Sequence, residues 1–125
     1  MTDEWDGRGA GTDQDYAILT NEIMQGAFNL KVDNYKKHKG LKRENLRDHM
    51  TDLELIITML GEAATTRITT NCDSQGVPAL KKDAQDGGAV AGRTRRDIEH
   101  QIGEKVVSRA NFLTNKAKKA LENRV

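Results

Sequence analysis

The stretch "TDLELIITMLGEAATTRITT", residues 51–70, decides the predicted fold, because it carries both a helix start signal and a long apolar pattern. Thr51 and Glu54 form a capping box, in which each side chain accepts a hydrogen bond from the other residue's backbone. The apolar face predicted for this helix is wide, which places the helix at the centre of the core. It comprises Leu53, Ile56, Ile57, Leu60, Ala64 and Ile68, widened by Leu55, Met59 and Ala63.

Two further long helices are predicted, one on each side of this stretch. Thr12 and Asp15 give a capping signal for a helix over residues 13–28, and the clearest loop, "NCDSQGVP" at 71–78, precedes a helix over 79–102. A short helix through "NYKKHK" should end at Gly40, and a last helix should begin near residue 109. The apolar positions of the first long helix repeat every three or four residues. They are Tyr16, Leu19, Ile23, Met24, Ala27 and Phe28.

Gly87 and Gly88 lie inside the third long helix, where each glycine costs about 1 kcal/mol relative to alanine. Small residues at 84, 88, 91 and 92 would leave a shallow groove in which another helix can approach closely. A break of the helix at Gly87–Gly88 is the alternative. We expect Gly88, Ala91 and Gly92 to form the packing surface of a homodimer, because two-fold pairing would fill this groove and cover the wide apolar face of 51–70.

The composition predicts a single all-α domain of about four to five helices, as a packed or intertwined dimer. The chain has 125 residues, 36% hydrophobic and only 4% aromatic, so its core must be thin and aliphatic. Residues 12–125 form the predicted helical domain. Residues 1–11, "MTDEWDGRGAG", are expected to form a flexible acidic leader, in which Trp5 is either docked on the domain or idle.

Several classes of protein find no support in the sequence. The single cysteine, Cys72, excludes an internal disulfide and fits a reducing compartment, and no apolar run reaches membrane-spanning length. We therefore expect a cytoplasmic protein without a membrane partner. His38, His49, His100 and Cys72 do not pair at metal-ligand spacing, and "GGAVAG" at 87–92 lacks the lysine and hydroxyl of a phosphate loop. The sequence predicts neither an enzyme nor a cofactor.

The stretch "YKKHKGLKRENLRDHM", residues 35–50, is locally basic although the net charge of the chain is only +1. It can be interpreted as a surface that neutralises phosphates, or as the solvated rim of a helical hairpin. Leu41, Leu46 and Met50 are expected to turn inward. The predicted partner or nucleic-acid surface consists of Lys36, Lys37, Lys39, Lys42, Arg43, Asn45, Arg47 and His49.

Residues 13–115 resemble the C-terminal domain of prophage antirepressors and DNA-damage-inducible protein D relatives. The resemblance rests on "DYAILTNEI" (15–23), "YKKHKGLKRENLRDHMTDLELIITMLGEAATT" (35–66), "KKDAQDGGAVAGRTRRDIEHQIGEKVVS" (81–108) and "NFL" (111–113). Relatives carry a Bro-type DNA-binding domain where this chain has its acidic leader, so we expect an excised domain or a stand-alone gene. The family offers no catalytic residues to carry over.

The resemblance implies phage or mobile-element biology, the SOS response to DNA damage, and action through a regulatory protein or the RecA–DNA filament. It favours residues 35–50 as a partner surface. Two hypotheses follow: a non-enzymatic interaction and oligomerisation domain, or a nucleic-acid-binding module that uses residues 36–47. Strongly salt-dependent binding to random DNA would favour the second hypothesis.

Overall fold

The computed structural model describes residues 2–107, with side chains from Glu4 onward. Within that range the chain is all-α and contains no β-strand, which confirms the predicted fold class. A short 3₁₀ helix, Leu46–His49, interrupts the connector between the third and fourth helices. The five α-helices are α1 (Thr2–Gly7), α2 (Asp13–Phe28), α3 (Val32–His38), α4 (Asp52–Cys72) and α5 (Val77–Ile102). The last helix predicted from residue 109 lies outside the described residues.

The local start and stop signals act as the sequence predicted. Thr12 with Asp15 and Thr51 with Glu54 both form complete capping boxes, at the first residues of α2 and α4. Gly40 follows α3 with a φ of +75°, a left-handed conformation that glycine adopts without the penalty of a Cβ atom. Helix α5 runs through its glycines without a break, so the alternative interruption at Gly87–Gly88 does not occur.

Close approach of helix backbones explains why α5 tolerates these glycines. A methyl group on Gly88 would lie 2.7 Å from the carbonyl oxygen of Ile23 in α2, and one on Gly26 would lie 2.7 Å from the carbonyl carbon of Gly88. On the other side of α5, a methyl group on Gly87 would lie 2.7 Å from the backbone nitrogen of Thr65 in α4. Helix α5 is therefore held between α2 and α4, and the favourable packing offsets the intrinsic helix cost of glycine.

This arrangement corrects the assignment of the small-residue groove to a dimer surface. Gly88, Ala91 and Gly92 are buried within one chain, and a methyl group on Gly92 would collide with the carbonyl oxygen of Gly26. The prediction of a close helix contact was right, but α2 of the same chain supplies the second helix. Whether the protein forms a dimer stays a prediction, and these three residues do not provide its surface.

The described part of the acidic leader, residues 2–11, packs on the helical domain, and whether the leader is flexible stays a prediction. It forms α1, and Trp5 is docked with 3% of its surface exposed, its ring 6.2 Å from that of Tyr16. Arg8 extends this attachment, since its guanidinium contacts Asp73 at 3.0 Å and its carbonyl accepts a hydrogen bond of 2.7 Å from Gly76. The buried indole thus holds the leader against α2 and α5, and Arg8 links it to the loop between α4 and α5.

Helix α4 presents a different face to the core from the one that its apolar pattern predicts. Ile57 is buried as expected, but the other buried positions are polar or small: Glu54, Thr58, Gly61, Thr65 and Thr69. Ile56 and Met59 instead face solvent. At about 100° per residue, the buried face is turned by roughly a quarter of a turn from the predicted one. The reason is that α5 approaches α4 too closely at Gly87 to accept large aliphatic side chains.

The polar groups on this inward face all have hydrogen-bond partners. The hydroxyl of Thr69 donates to Asp83 of α5 at 2.9 Å, and those of Thr58 and Thr65 donate to carbonyl oxygens one turn earlier in α4. Because buried polar groups are costly only when they lack partners, this face remains compatible with a core position. Among the helices of residues 2–107, none has the length and the apolar composition that crossing a membrane requires.

Candidate interaction surfaces

Lys39 does not belong to the predicted basic surface. Its ammonium group lies 2.7 Å from the Glu54 carboxylate, and both side chains are fully buried. Burial of α3 through Tyr35, together with the tight turn at Gly40, directs Lys39 inward rather than to solvent. Its assignment as a partner or nucleic-acid residue was therefore wrong, because a buried cation already paired with a carboxylate is not accessible to a ligand.

Glu54 is the centre of a buried polar cluster that joins α3 to the start of α4. Its carboxylate accepts hydrogen bonds from the Tyr35 hydroxyl, from Lys39 and, at 3.0 Å, from the Thr51 backbone nitrogen. Burial, reinforced by the hydrogen bond to Glu54, raises the pKa of Tyr35 far above its ordinary value. Phe28 packs edge-on against the Tyr35 ring at 5.1 Å. Glu54 is thus both a capping residue of α4 and the counter-ion of Lys39, so Lys39 has a structural role.

Four other residues of the basic stretch border a groove between α2, α3 and the connector before α4: Lys36, Arg43, Asn45 and Arg47. The groove encloses about 410 Å³. Leu46 and Met50 turn inward as predicted and, with Met24 and Val32, give the groove an apolar floor. Lys36, Arg43 and Arg47 line it with cations, and Asn45 lies beside them.

Carboxylates at the rim reduce the positive charge of this groove. Arg47 is paired with Glu62 of α4, and Glu44 lines the groove among the cations. The backbone N–H of Lys42 donates to the Glu44 carboxylate at 2.7 Å. That hydrogen bond is the main reason why the pKa of Glu44 is lowered, followed by a hydrogen bond from the backbone of Glu44 itself and by smaller contributions from His49 and Lys36. The rim therefore carries both signs of charge.

The remaining predicted residues are divided between structural and exposed positions. Asn45 caps the 3₁₀ helix, because its side-chain oxygen accepts a hydrogen bond of 2.9 Å from the Arg47 backbone. His49 is half-buried next to it. Lys37 and Lys42 are exposed and line a second, smaller cavity of about 310 Å³ outside the groove.

A second exposed surface, which the hydrophobic pattern did not predict, is the outward side of α4. We name it the outer face of α4. Ile56 and Met59 are 57% and 54% exposed there, although both belong to the apolar pattern that predicts burial. The signal that could have revealed this was the set of small and polar residues at 54, 58, 61, 65 and 69, which also repeats at helical spacing. The outer face consists of Asp52, Ile56, Met59, Ala63, Arg67 and Thr70, all exposed.

Comparison with known proteins returned no matching family model, no matching curated protein and no matching solved structure. Within residues 2–107, no three His, Cys, Asp or Glu side chains lie together as a metal ion would require.

Proposed function

We propose that this chain is a non-enzymatic interaction domain that binds an acidic, amphipathic segment of a partner protein in the groove between α2, α3 and the connector. The observation that supports this proposal is an apolar floor, formed in part by Met24 and Met50, beneath a rim that carries Arg43 and Arg47. Methionine side chains adapt to differently shaped apolar ligands, and arginine forms paired hydrogen bonds with carboxylates.

The charges at the rim favour a protein over a phosphate backbone. A surface for nucleic acid works by lining up cations that are free to neutralise successive phosphates. Lys39 is absent from this row because it is buried, Arg47 is paired with Glu62, and Glu44 contributes a negative charge inside the row. An acidic peptide needs only a few cations together with apolar contacts, and the groove offers both.

Nucleic acid remains the second candidate, because Lys37, Lys42 and Arg43 are all exposed on the same connector and the end of α3. These three cations would contact phosphates without reading a sequence. The two candidates differ in how much they depend on salt, since each phosphate contact releases a counter-ion.

The resemblance to antirepressor and DNA-damage-inducible proteins supplies the proposed context. On that basis the partner would be a regulatory protein or the RecA–DNA filament, met in the cytoplasm during the response to DNA damage. The proposal invokes no cofactor and no catalytic residue.

A comparison of groove variants in a pull-down from a DNA-damaged host lysate tests the proposal. The variant Lys36→Glu/Arg43→Glu reverses two rim charges and should lose a partner that the wild-type chain retains. The matched control is Lys81→Glu/Lys82→Glu, which reverses two exposed lysines on α5, away from the groove, and should retain that partner. Circular dichroism checks that both variants fold. We expect little loss of stability, because Arg43, Lys81 and Lys82 are exposed and Lys36 is half-buried.

Direct binding to nucleic acid is measured in parallel, by fluorescence anisotropy with a short random-sequence DNA duplex. The proposal predicts no binding at low salt. Binding that falls steeply with salt and disappears in Lys36→Glu/Arg43→Glu would instead establish the second candidate. A partner protein captured equally by the wild type and by both variants would refute the groove as its binding site.

A further inference from the structure

The outer face of α4 carries an acidic residue near one end and a basic residue near the other, so two copies of it in opposite directions are complementary in charge. Its centre is apolar, with Ile56, Met59 and Ala63 exposed, and its ends carry opposite charges, with Asp52 at the start and Arg67 in the fifth turn. Neither Asp52 nor Arg67 forms an ion pair with another side chain in residues 2–107. Exposed apolar residues flanked by charges of opposite sign that have no ion-pair partner are typical of a protein contact.

An antiparallel pairing of two α4 helices would pair the two charged residues and cover the apolar ones. A two-fold axis placed between Met59 and Leu60 lies equally far, in sequence, from Asp52 and from Arg67. It therefore sets Asp52 opposite Arg67 of a second copy, and the symmetric pair forms at the other end. The same axis sets Ile56 opposite Ala63 of the second copy, so that a large side chain meets a small one.

We infer that the outer face of α4 is the contact surface of a homodimer with antiparallel α4 helices. A parallel pairing would place Asp52 beside Asp52 and Arg67 beside Arg67, which costs energy through repulsion of like charges. The inference goes beyond the proposed function, because it uses the face of α4 that points away from the core rather than the groove. It replaces Gly88, Ala91 and Gly92 as the predicted dimer surface.

The contact is small, so its strength should depend on protein concentration. One face of one helix buries less than the roughly 1,200–2,000 Å² that is usual for stable protein interfaces. We therefore expect a monomer–dimer equilibrium that can be followed by sedimentation equilibrium, with a larger dimer fraction at higher concentration. Because two ion pairs lie at the ends of the contact, added salt should weaken it.

Charge reversal tests the pairing. Asp52→Arg and Arg67→Asp should each raise the dimer dissociation constant at least tenfold, because each creates two like-charge contacts across the two-fold axis. The double variant Asp52→Arg/Arg67→Asp should restore dimerisation, since it exchanges the charges on both copies. The control Asp86→Arg changes an exposed carboxylate on α5 and should leave the dissociation constant unchanged. Two single variants that dimerise like the wild type would overturn the inference.

Cross-linking tests the direction of the two helices independently of any charge. In a Cys72→Ser background, Met59→Cys lies next to the two-fold axis and should form a disulfide between copies under oxidation. Arg67→Cys should not, because in the antiparallel arrangement the two copies of residue 67 lie about 22 Å apart along the helices. Equal cross-linking at residues 59 and 67, or a wild-type chain that is monomeric at every concentration, would refute the antiparallel dimer. Neither result would bear on binding in the groove.

Discussion

Substitution of Lys39 by Met should destabilise the protein strongly, although hydropathy alone would predict a gain. The change keeps an unbranched side chain of similar length and removes the ammonium group, which lies 2.7 Å from the Glu54 carboxylate in a fully buried position. The carboxylate would then remain in the core without its counter-ion. Removing one partner of a buried ion pair costs about 3–5 kcal/mol.

The surroundings of Glu54 place the expected loss at the lower end of that range. The Tyr35 hydroxyl and the Thr51 backbone nitrogen still donate to the carboxylate after the substitution. We therefore expect a loss of about 3 kcal/mol, which is a large fraction of the roughly 5–15 kcal/mol that stabilises a typical domain. Urea denaturation followed by circular dichroism measures this loss directly.

A matched control separates the buried ion pair from a surface one. Arg47→Met breaks the pair with Glu62, in which the arginine side chain is 46% exposed, and should cost no more than about 1 kcal/mol. In a double-mutant cycle, Lys39→Met with Glu54→Gln should lose about 2 kcal/mol less than the sum of the two single changes, because no unpaired charge remains. A Lys39→Met variant that loses no more stability than Arg47→Met would show that the Glu54 carboxylate does not need Lys39 as its counter-ion.

Two further perturbations test other contacts in the core. Gly88→Ala should lower the free energy of unfolding, measured by urea denaturation, by about 1–2 kcal/mol. The reason is that overlap of the new methyl group with the Ile23 carbonyl outweighs the gain of about 1 kcal/mol in helix propensity. The control Gly7→Ala, with open space around the new methyl group, should show no loss. Raising the pH above about 10 should destabilise the wild type more than Tyr35→Phe, since the unfolded tyrosine ionises there while burial beside Glu54 holds the pKa of the folded hydroxyl higher. The Tyr35 contribution is complete below that pH, so equal alkaline losses in the two proteins would contradict the prediction.

Helix positions were predictable from the sequence because their signals are local. Both capping boxes involve residues three apart, and Gly40, which follows α3, ends that helix through one left-handed backbone conformation. Such signals do not depend on which helices later meet. They fix the start of a helix to within a residue or two, as the starts of α2 and α4 show.

Which helix fills the groove along α5 could not be predicted, because that depends on the path of the whole chain. The small residues around Gly88 indicated close packing correctly. The glycine on the other side of the contact, Gly26, lies in α2 and is 62 positions earlier, and a single glycine among larger residues gave no reason to pair the two. Internal packing and packing between copies give the same local pattern.

Residues whose polarity is satisfied inside the protein account for the errors about α4 and the basic stretch. A prediction from the hydrophobic pattern places polar residues such as Lys39, Glu54 and Thr65 in solvent. Their hydrogen bonds to one another and to the backbone remove most of that preference, but these partners become visible only in three dimensions. With the polar side of α4 turned inward, Ile56 and Met59 were left on the surface.

The most direct test of this account is a comparison of Ile56→Ala with Ile57→Ala. The two variants remove the same atoms from neighbouring positions of one helix. Ile56 is 57% exposed, whereas Ile57 is 1% exposed. In urea denaturation of the dilute protein, Ile57→Ala should cost about 2–5 kcal/mol and Ile56→Ala less than about 1 kcal/mol. Equal losses, or a larger loss for Ile56→Ala, would mean that α4 turns its aliphatic side to the core and would contradict the account.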